Sequence, residues 1–266
     1  MSAIDAVFER CREEDRAAFI PFLMAGDPDL ATCEQLIGAL GAGGADLIEL
    51  GVPFSDPIAD GPVNQAAAAR SLAAGTTLDG VFDLVARCRD RLGLPIVLFT
   101  YFNPIHARGI ERFAEQAAAS GVDGVLCVDL PPEEAAERFL PALLSRGLDP
   151  VFLLAPTSTK ERIAKVAAAS RGFVYYVSRT GVTGERSALA PTLLKEVKRV
   201  RKRLSLPLAV GFGISSPEQV EAVAGVADGV VVGSALVRLV EDDPKASDLA
   251  ERVEEQVRQL SAPLRR

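Results

Sequence analysis

The chain of 266 residues contains one histidine, His106, in the loop Asn103-Pro-Ile-His-Ala-Arg-Gly109. A Ser–His–Asp hydrolase or a histidine-rich metal centre is a poor fit to that supply. His106 itself is expected to be solvated. Lysine is scarce too: Lys160, Lys165, Lys195, Lys198, Lys202 and Lys245 all fall in helical or polar stretches, none at the end of an apolar run. A Schiff-base mechanism therefore lacks its amine. The four cysteines (Cys11, Cys33, Cys88, Cys127) are widely spaced and form no Cys-x-x-Cys. That excludes a disulfide framework and a zinc site, and it points to a reduced, cytoplasmic protein. No apolar stretch approaches the roughly 20 residues of a membrane span. The first ten residues read as an amphipathic helix rather than a signal segment. The net charge of -7 leaves no cationic face for nucleic acid or an anionic membrane. With no linker or low-complexity segment, residues 1–266 are expected to form a single domain.

Eight short apolar runs alternate with helical patterns. They are Phe19–Ala25, Leu47–Val52, Ile96–Tyr101, Gly124–Asp129, Pro150–Ala155, Val174–Ser178, Leu208–Gly213 and Gly229–Gly233. They are nearly continuous in Val, Ile, Leu and Phe, as strands covered on both faces are. Ser158-Thr-Lys-Glu161 and Ser216-Pro-Glu-Gln219 read as capping boxes opening helices, and Gly121, Gly147 and Gly172 as helix ends. Eight strand–helix units in this length predict a (β/α)8 TIM barrel, with an added N-terminal helix and extra helices in the second and eighth units. A doubly wound open sheet is the alternative, but no Gly-x-Gly-x-x-Gly follows the first run. Most runs start roughly 22–28 residues apart, while the second unit takes about 49 and the sixth about 33. In a barrel such excess belongs to the loops that carry function. The second unit gains the Glu49–Asp60 segment and a helix, Asn64–Ala74, before the helix Leu78–Leu92. The sixth gains Arg179-Thr-Gly-Val-Thr-Gly-Glu-Arg-Ser-Ala-Leu189, which reads as a mobile lid. The last helix is expected over Ala246–Leu260.

Chemistry concentrates in the second unit. Glu49 interrupts the apolar run Asp46-Leu-Ile-Glu-Leu-Gly-Val52, where a lone acid is costly unless paired, hydrogen-bonded or neutral. Pro53, Pro57 and Pro62 stiffen the loop that follows and can return Asp60 to its own strand's end. The plainer reading gives Asp56 and Asp60 to turns and Glu49 to a strand end. With histidine, lysine and metal set aside, carboxylate acid–base chemistry with tyrosine assistance is what remains. Glu49, disfavoured as an anion, is the candidate proton carrier, and Asp60 the candidate ionised partner. Tyr101 ends its run; Tyr175 and Tyr176 alternate, so one faces into the barrel and the other out. Gly211-Phe-Gly213 and Gly233-Ser234 open helices after the last two runs, where barrel enzymes frequently bind phosphate.

These residues also resemble a known family. The segment from Glu49 to Pro62, Glu-Leu-Gly-Val-Pro-Phe-Ser-Asp-Pro-Ile-Ala-Asp-Gly-Pro, is similar to the signature of the tryptophan synthase α chain. So are Pro21-Phe-Leu-Met-Ala-Gly-Asp-Pro28, Tyr101-Phe-Asn-Pro104, Ser178-Arg-Thr-Gly-Val-Thr-Gly184 and Gly211-Phe-Gly-Ile-Ser215, in order across nearly the whole chain. The resemblance implies a lyase that cleaves indole-3-glycerol phosphate to indole and glyceraldehyde 3-phosphate. It implies Glu49 and Asp60 as the catalytic pair, with Tyr175 near the substrate. Phe22, Cys127 and Phe212 would sandwich the indole, beside Tyr101, Thr183 and Gly211. The phosphate would rest on Gly184, Gly213, Gly233 and Ser234. No cofactor is implied in this chain. A β-chain partner carrying pyridoxal phosphate is implied, in an α2β2 heterotetramer, with Asp56 and the loop after the sixth run in segments that communicate between subunits. The competing readings are a different phosphosugar barrel enzyme and a non-catalytic regulatory subunit.

Overall fold

The computed structural model describes residues 1–177, 191–211 and 213–264. One parallel sheet runs through it. Its strands are β1 (Ala18–Met24), β2 (Ile48–Gly51), β3 (Ile96–Thr100), β4 (Gly124–Cys127), β5 (Asp149–Val151), β6 (Leu153–Leu154), β7 (Val174–Val177), β8 (Leu208–Gly211) and β9 (Gly229–Val232). The order is β5-β4-β3-β2-β1-β9-β8-β7-β6. The two edge strands are one stretch of chain interrupted at Phe152, so the sheet closes on itself and the eight expected strands are present.

The stagger confirms the barrel type. Ladder partners of Ala18 lead through Gly229, Ala209 and Tyr175 to Leu153. Partners of Phe22 lead the other way, through Glu49, Val97 and Gly124, to Asp149. The starts are four residues apart and the ends four apart in the opposite sense, a net shear of eight, which is that of a TIM barrel.

Strand residues alternate between two cores. Ile48, Leu50, Leu98, Val125, Cys127, Val174, Tyr176, Val210 and Val230 face the surrounding helices. Ala18, Ile20, Leu47, Val97, Leu126, Val151, Phe173, Tyr175, Ala209 and Val231 fill the barrel. The N-terminal helix, Ala3–Glu13, completes the inner core with Ile4, Val7, Phe8 and Cys11, and Phe8 packs 5.5 Å from Phe173. Ser2 caps that helix reciprocally with Asp5. These contacts lie at the strands' starts, so one mouth is plugged and chemistry is left to the other.

The inserted helices of the second unit are Pro62–Ala73, two residues ahead of expectation because Pro62 takes the first helical position, and Leu78–Leu92, as expected. The last helix is Leu249–Ser261. Ser216 caps the helix Pro217–Ala224 as read from sequence, accepting from the Gln219 amide. The Gln219 carboxamide returns to the Ser215 amide instead of to Ser216. The other capping box is one residue out of step. Thr159 caps Lys160–Ala169, while Ser158 accepts from the Ala155 amide in the preceding turn. Gly121, Gly147 and Gly172 have the left-handed backbone expected after helices.

Candidate active site

Two buried acids three residues apart meet opposite fates. Asp46 precedes β2 and is ringed by donors: Arg16 by two nitrogens at 2.6 and 2.7 Å, Arg10 at 3.0 Å and the Phe19 amide at 2.9 Å. Burial opposes its charge, yet these bonds together hold its carboxyl below the ordinary range. Glu49, inside β2, is 2 % exposed and lies in the inward register of Leu47. Its Oε1 has no hydrogen-bond partner among the described residues. Burial first, and the charge of Asp60 second, push it up to about 8. A carboxyl so placed is neutral at physiological pH and poised to give and take a proton.

The proline-rich loop brings Asp60 back beside it. The Asp60 amide donates to the Pro57 carbonyl (3.0 Å) and the Ile58 amide to the Asp56 carbonyl (2.9 Å), so Asp56 does form the turn that the plainer reading gave it. The Gln65 side chain fastens the carbonyls of Asp60 (2.8 Å) and Pro57 (3.3 Å) to the next helix. The Tyr101 hydroxyl accepts from the Ala59 amide (3.0 Å) and donates to Asp60 Oδ2 (2.9 Å). Its ring packs 5.2 Å from Phe54. Burial holds the Asp60 carboxyl above its ordinary range, and the hydrogen bond from Tyr101 opposes part of that rise.

Tyr175 faces into the barrel from β7, and Tyr176 faces out towards Glu196, 3.3 Å from its hydroxyl. Burial, then the charges of Glu49 and Asp60, drive the Tyr175 phenol well above its usual range. Gly211 makes room for it: a Cβ there would lie 2.1 Å from the Tyr175 hydroxyl. Phe22 pairs with Glu49 across the β1–β2 ladder and meets Phe99 edge-on at 5.6 Å. It is flanked by Gly51 and Gly233, where a Cβ would come within 2.7 and 3.3 Å of its ring. Beyond Gly233, the helix Ser234–Asp242 begins without a side-chain cap. Its first amides have no partner within the helix and are oriented to receive an anion. Gly213, which needs a left-handed backbone at φ +79°, stands at the end of the neighbouring strand.

The sequence and the fold both match a known family. The family model described as "Tryptophan synthase alpha chain" matches residues 8–265. The tryptophan synthase alpha chain of Geobacter sulfurreducens is 56% identical over 241 residues, covering 91% of each chain. That of Citrifermentans bemidjiense is 58% identical over 241 residues, covering 91% of this chain and 90% of its own. Among solved structures, the subunit alpha from Legionella pneumophila superposes with a TM-score of 0.92 at 35% identity, covering 99% of this chain and 98% of that one. A chain of the tryptophan synthase complex from Pyrococcus furiosus superposes with a TM-score of 0.85 at 38% identity, covering 93% and 99%. This chain belongs to the tryptophan synthase alpha chain family.

The structure departs from the sequence reading at one substrate residue. Cys127 shares the outward register of Val125, packs in the layer between sheet and helices, and donates its thiol to Asp129 at 3.4 Å. It does not join Glu49. Strand alternation decides this, and the same alternation turns Phe99, Val128, Leu153 and Val177 inward, partly buried against the inner core. Those four were missed, although counting by twos from Val97, Leu126, Val151 and Tyr175 finds them. Tyr101, Gly211, Gly213, Gly233 and Ser234 sit at or just beyond the strands' carboxyl ends, while Phe22 and Tyr175 lie within β1 and β7. Thr183, Gly184, Phe212 and the expected lid 179–189 lie outside the described residues. His106 is exposed against Phe102, consistent with a solvated role. Among the described residues, no group of three or more His, Cys, Asp and Glu side chains could hold a metal. None of their helices is long and apolar enough to cross a membrane.

Proposed function

We propose that Glu49 and Asp60 divide the proton and charge work of a retro-aldol cleavage. The chain is a carbon–carbon lyase of tryptophan biosynthesis that converts indole-3-glycerol phosphate to indole and glyceraldehyde 3-phosphate. The observation that supports the division is the unpaired Oε1 of a neutral, buried Glu49 beside a hydrogen-bonded Asp60. Glu49 in its acid form protonates carbon 3 of the indole. The ring becomes an indolenine whose nitrogen carries the positive charge. Asp60, as a carboxylate, accepts the indole N–H and stabilises that charge. The Glu49 carboxylate then takes the proton of the glycerol hydroxyl on the adjacent carbon. The carbon–carbon bond breaks, its electron pair returns to the ring, and the hydroxyl carbon becomes the aldehyde. The ring nitrogen is the electron sink, so the step needs neither a lysine imine nor a cofactor in this chain.

Tyr175 and Phe22 contact the substrate from the barrel interior. Phe99 and Val128 take the place expected of Cys127 against the indole. The phosphate lies on the amides of Gly213, Gly233 and Ser234, with Gly184 and Thr183 contributing from the segment after β7. The whole chain acts as one cytoplasmic catalytic domain. It docks a β chain at the open mouth, in an α2β2 assembly whose pyridoxal phosphate belongs to the β chain. Ile58, 89 % exposed on the loop between the two acids, supplies apolar surface there.

Indole release from indole-3-glycerol phosphate, with and without a β chain, tests this reading. Wild type should turn over in both conditions, and Glu49→Gln and Asp60→Asn in neither. Full activity in either variant would overturn the assignment.

A further inference from the structure

We infer that Gln219 is a positioning residue for the phosphate of the substrate: its buried carboxamide holds the turn 213–216 in the shape that presents the Gly213 amide to the anion. This assignment rests on the phosphate lying on Gly213, Gly233 and Ser234. The sequence Ser216-Pro-Glu-Gln219 forms a capping box that closes one residue early. In such a box the glutamine reaches back to the amide of the cap itself. Half of that pattern is present, since the Gln219 amide donates to the Ser216 hydroxyl at 3.4 Å. The other half reaches one residue further. Gln219 Oε1 accepts from the Ser215 amide at 2.8 Å and from the Ser215 hydroxyl at 3.4 Å.

Gln219 is 7 % exposed, whereas Gly213 and Ser215 lie at the surface. An exposed serine amide can be satisfied by water, so drawing it to a buried carboxamide adds little to stability. What it adds is order. Ile214, which is buried, anchors the same turn in the layer between sheet and helices. Two consecutive residues are thereby pinned, one by its side chain and one by its amide, directly after Gly213 with its left-handed backbone. An anion held on backbone amides gains most when they are set before it arrives. The two neighbouring helix starts divide that task. Ser234–Asp242 begins without a side-chain cap and is open to an anion, while Pro217–Ala224 is closed by Ser216 and secures the glycine turn. A carboxamide also makes this bond without bringing a negative charge towards the phosphate, as a glutamate in the same box would.

The test compares wild type with Gln219→Met, which keeps the length of the side chain and removes its acceptor. KM for indole-3-glycerol phosphate should rise about 3- to 10-fold, the worth of one hydrogen bond, with kcat within about twofold. The inhibition constant of inorganic phosphate, competing with the substrate, should rise by a similar factor. The dissociation constant of indole, which carries no phosphate, should stay within about twofold. A merely structural loss would weaken indole as much as phosphate, or lower kcat alone. Either of those patterns, or wild-type values throughout, overturns the inference. Should Gln219→Met not fold, Gln219→Asn, one carbon shorter, is judged by the same pattern. The placing of the phosphate fails separately, if inorganic phosphate does not compete with substrate on the wild type.

Discussion

The Tyr101 hydroxyl bridges two parts of the catalytic loop, accepting from the Ala59 amide at 3.0 Å and donating to Asp60 Oδ2 at 2.9 Å. One atom thus fixes the loop's backbone and its acid together. Tyr101→Phe keeps the ring against Phe54 and removes only that bridge. A hydrogen bond to a charged group is worth about 1.5–3 kcal/mol, so kcat/KM for indole release should fall about 10- to 100-fold. The thermal midpoint should change by only a few degrees. A variant with wild-type kcat/KM would show that the bridge does not serve Asp60.

Glu49 should make the protein less stable as pH rises. The folded state keeps its proton up to about 8, whereas the unfolded chain loses it near 4.5. Between those values the native state binds more protons, so its stability declines with pH across that window and is unpenalised below it. The full penalty above pH 8 is up to about 5 kcal/mol. Glu49→Gln removes the titration. Urea unfolding should find the variant more stable than wild type at pH 8.5, with the gap closing towards pH 4.5. An equal gap at both pH values would show that Glu49 is not buried as an acid.

The barrel and its chemistry were legible from different signals. Continuous apolar runs at nearly regular spacing gave eight strands, and the long second unit marked the catalytic loop. Glu49 stood out because an acid in such a run has few tolerable explanations. The register of Cys127 was open to the same logic: Leu126 and Cys127 cannot both face inward, and the closed barrel decides which does. The bond from Tyr101 to Asp60 was not legible. Tyr101 is 41 residues away in sequence, and only the pairing of β2 with β3 brings the two together. The Asp27–Arg70 contact joins elements 43 residues apart for a similar reason.

That contact gives a third expectation. Asp27 is 4 % exposed and receives two Arg70 nitrogens at 2.9 Å, while the third lies 3.3 Å from Glu241. Breaking a buried pair strands the remaining charge, at a cost of about 3 kcal/mol for a side chain as sheltered as Asp27. Arg70→Met should therefore destabilise by about that amount. The double variant Asp27→Asn/Arg70→Met should be less damaging than the sum of its singles, because no lone charge remains. Chemical denaturation of the four proteins in the cycle checks this; strict additivity would contradict it.

Gly211 and Cys127 test the two sides of the barrel wall. At Gly211 a methyl would meet the Tyr175 hydroxyl at 2.1 Å and its Cζ at 2.7 Å. The ring is buried and cannot swing aside freely, so Gly211→Ala should cost about 1–3 kcal/mol of stability. It should also lower kcat/KM, by displacing a side chain that shares the field of Glu49 and Asp60. Cys127 lies through the wall, against the helices. Cys127→Ala should reduce stability by about 1 kcal/mol, as loss of a small buried group does, and leave kcat/KM within about twofold. Val128→Phe, one residue on but facing inward, should raise KM for indole-3-glycerol phosphate strongly by filling the space of the indole. Steady-state kinetics on the three variants separate the faces. A large loss of kcat/KM in Cys127→Ala with none in Val128→Phe would reverse the assignment of inward and outward residues on β4.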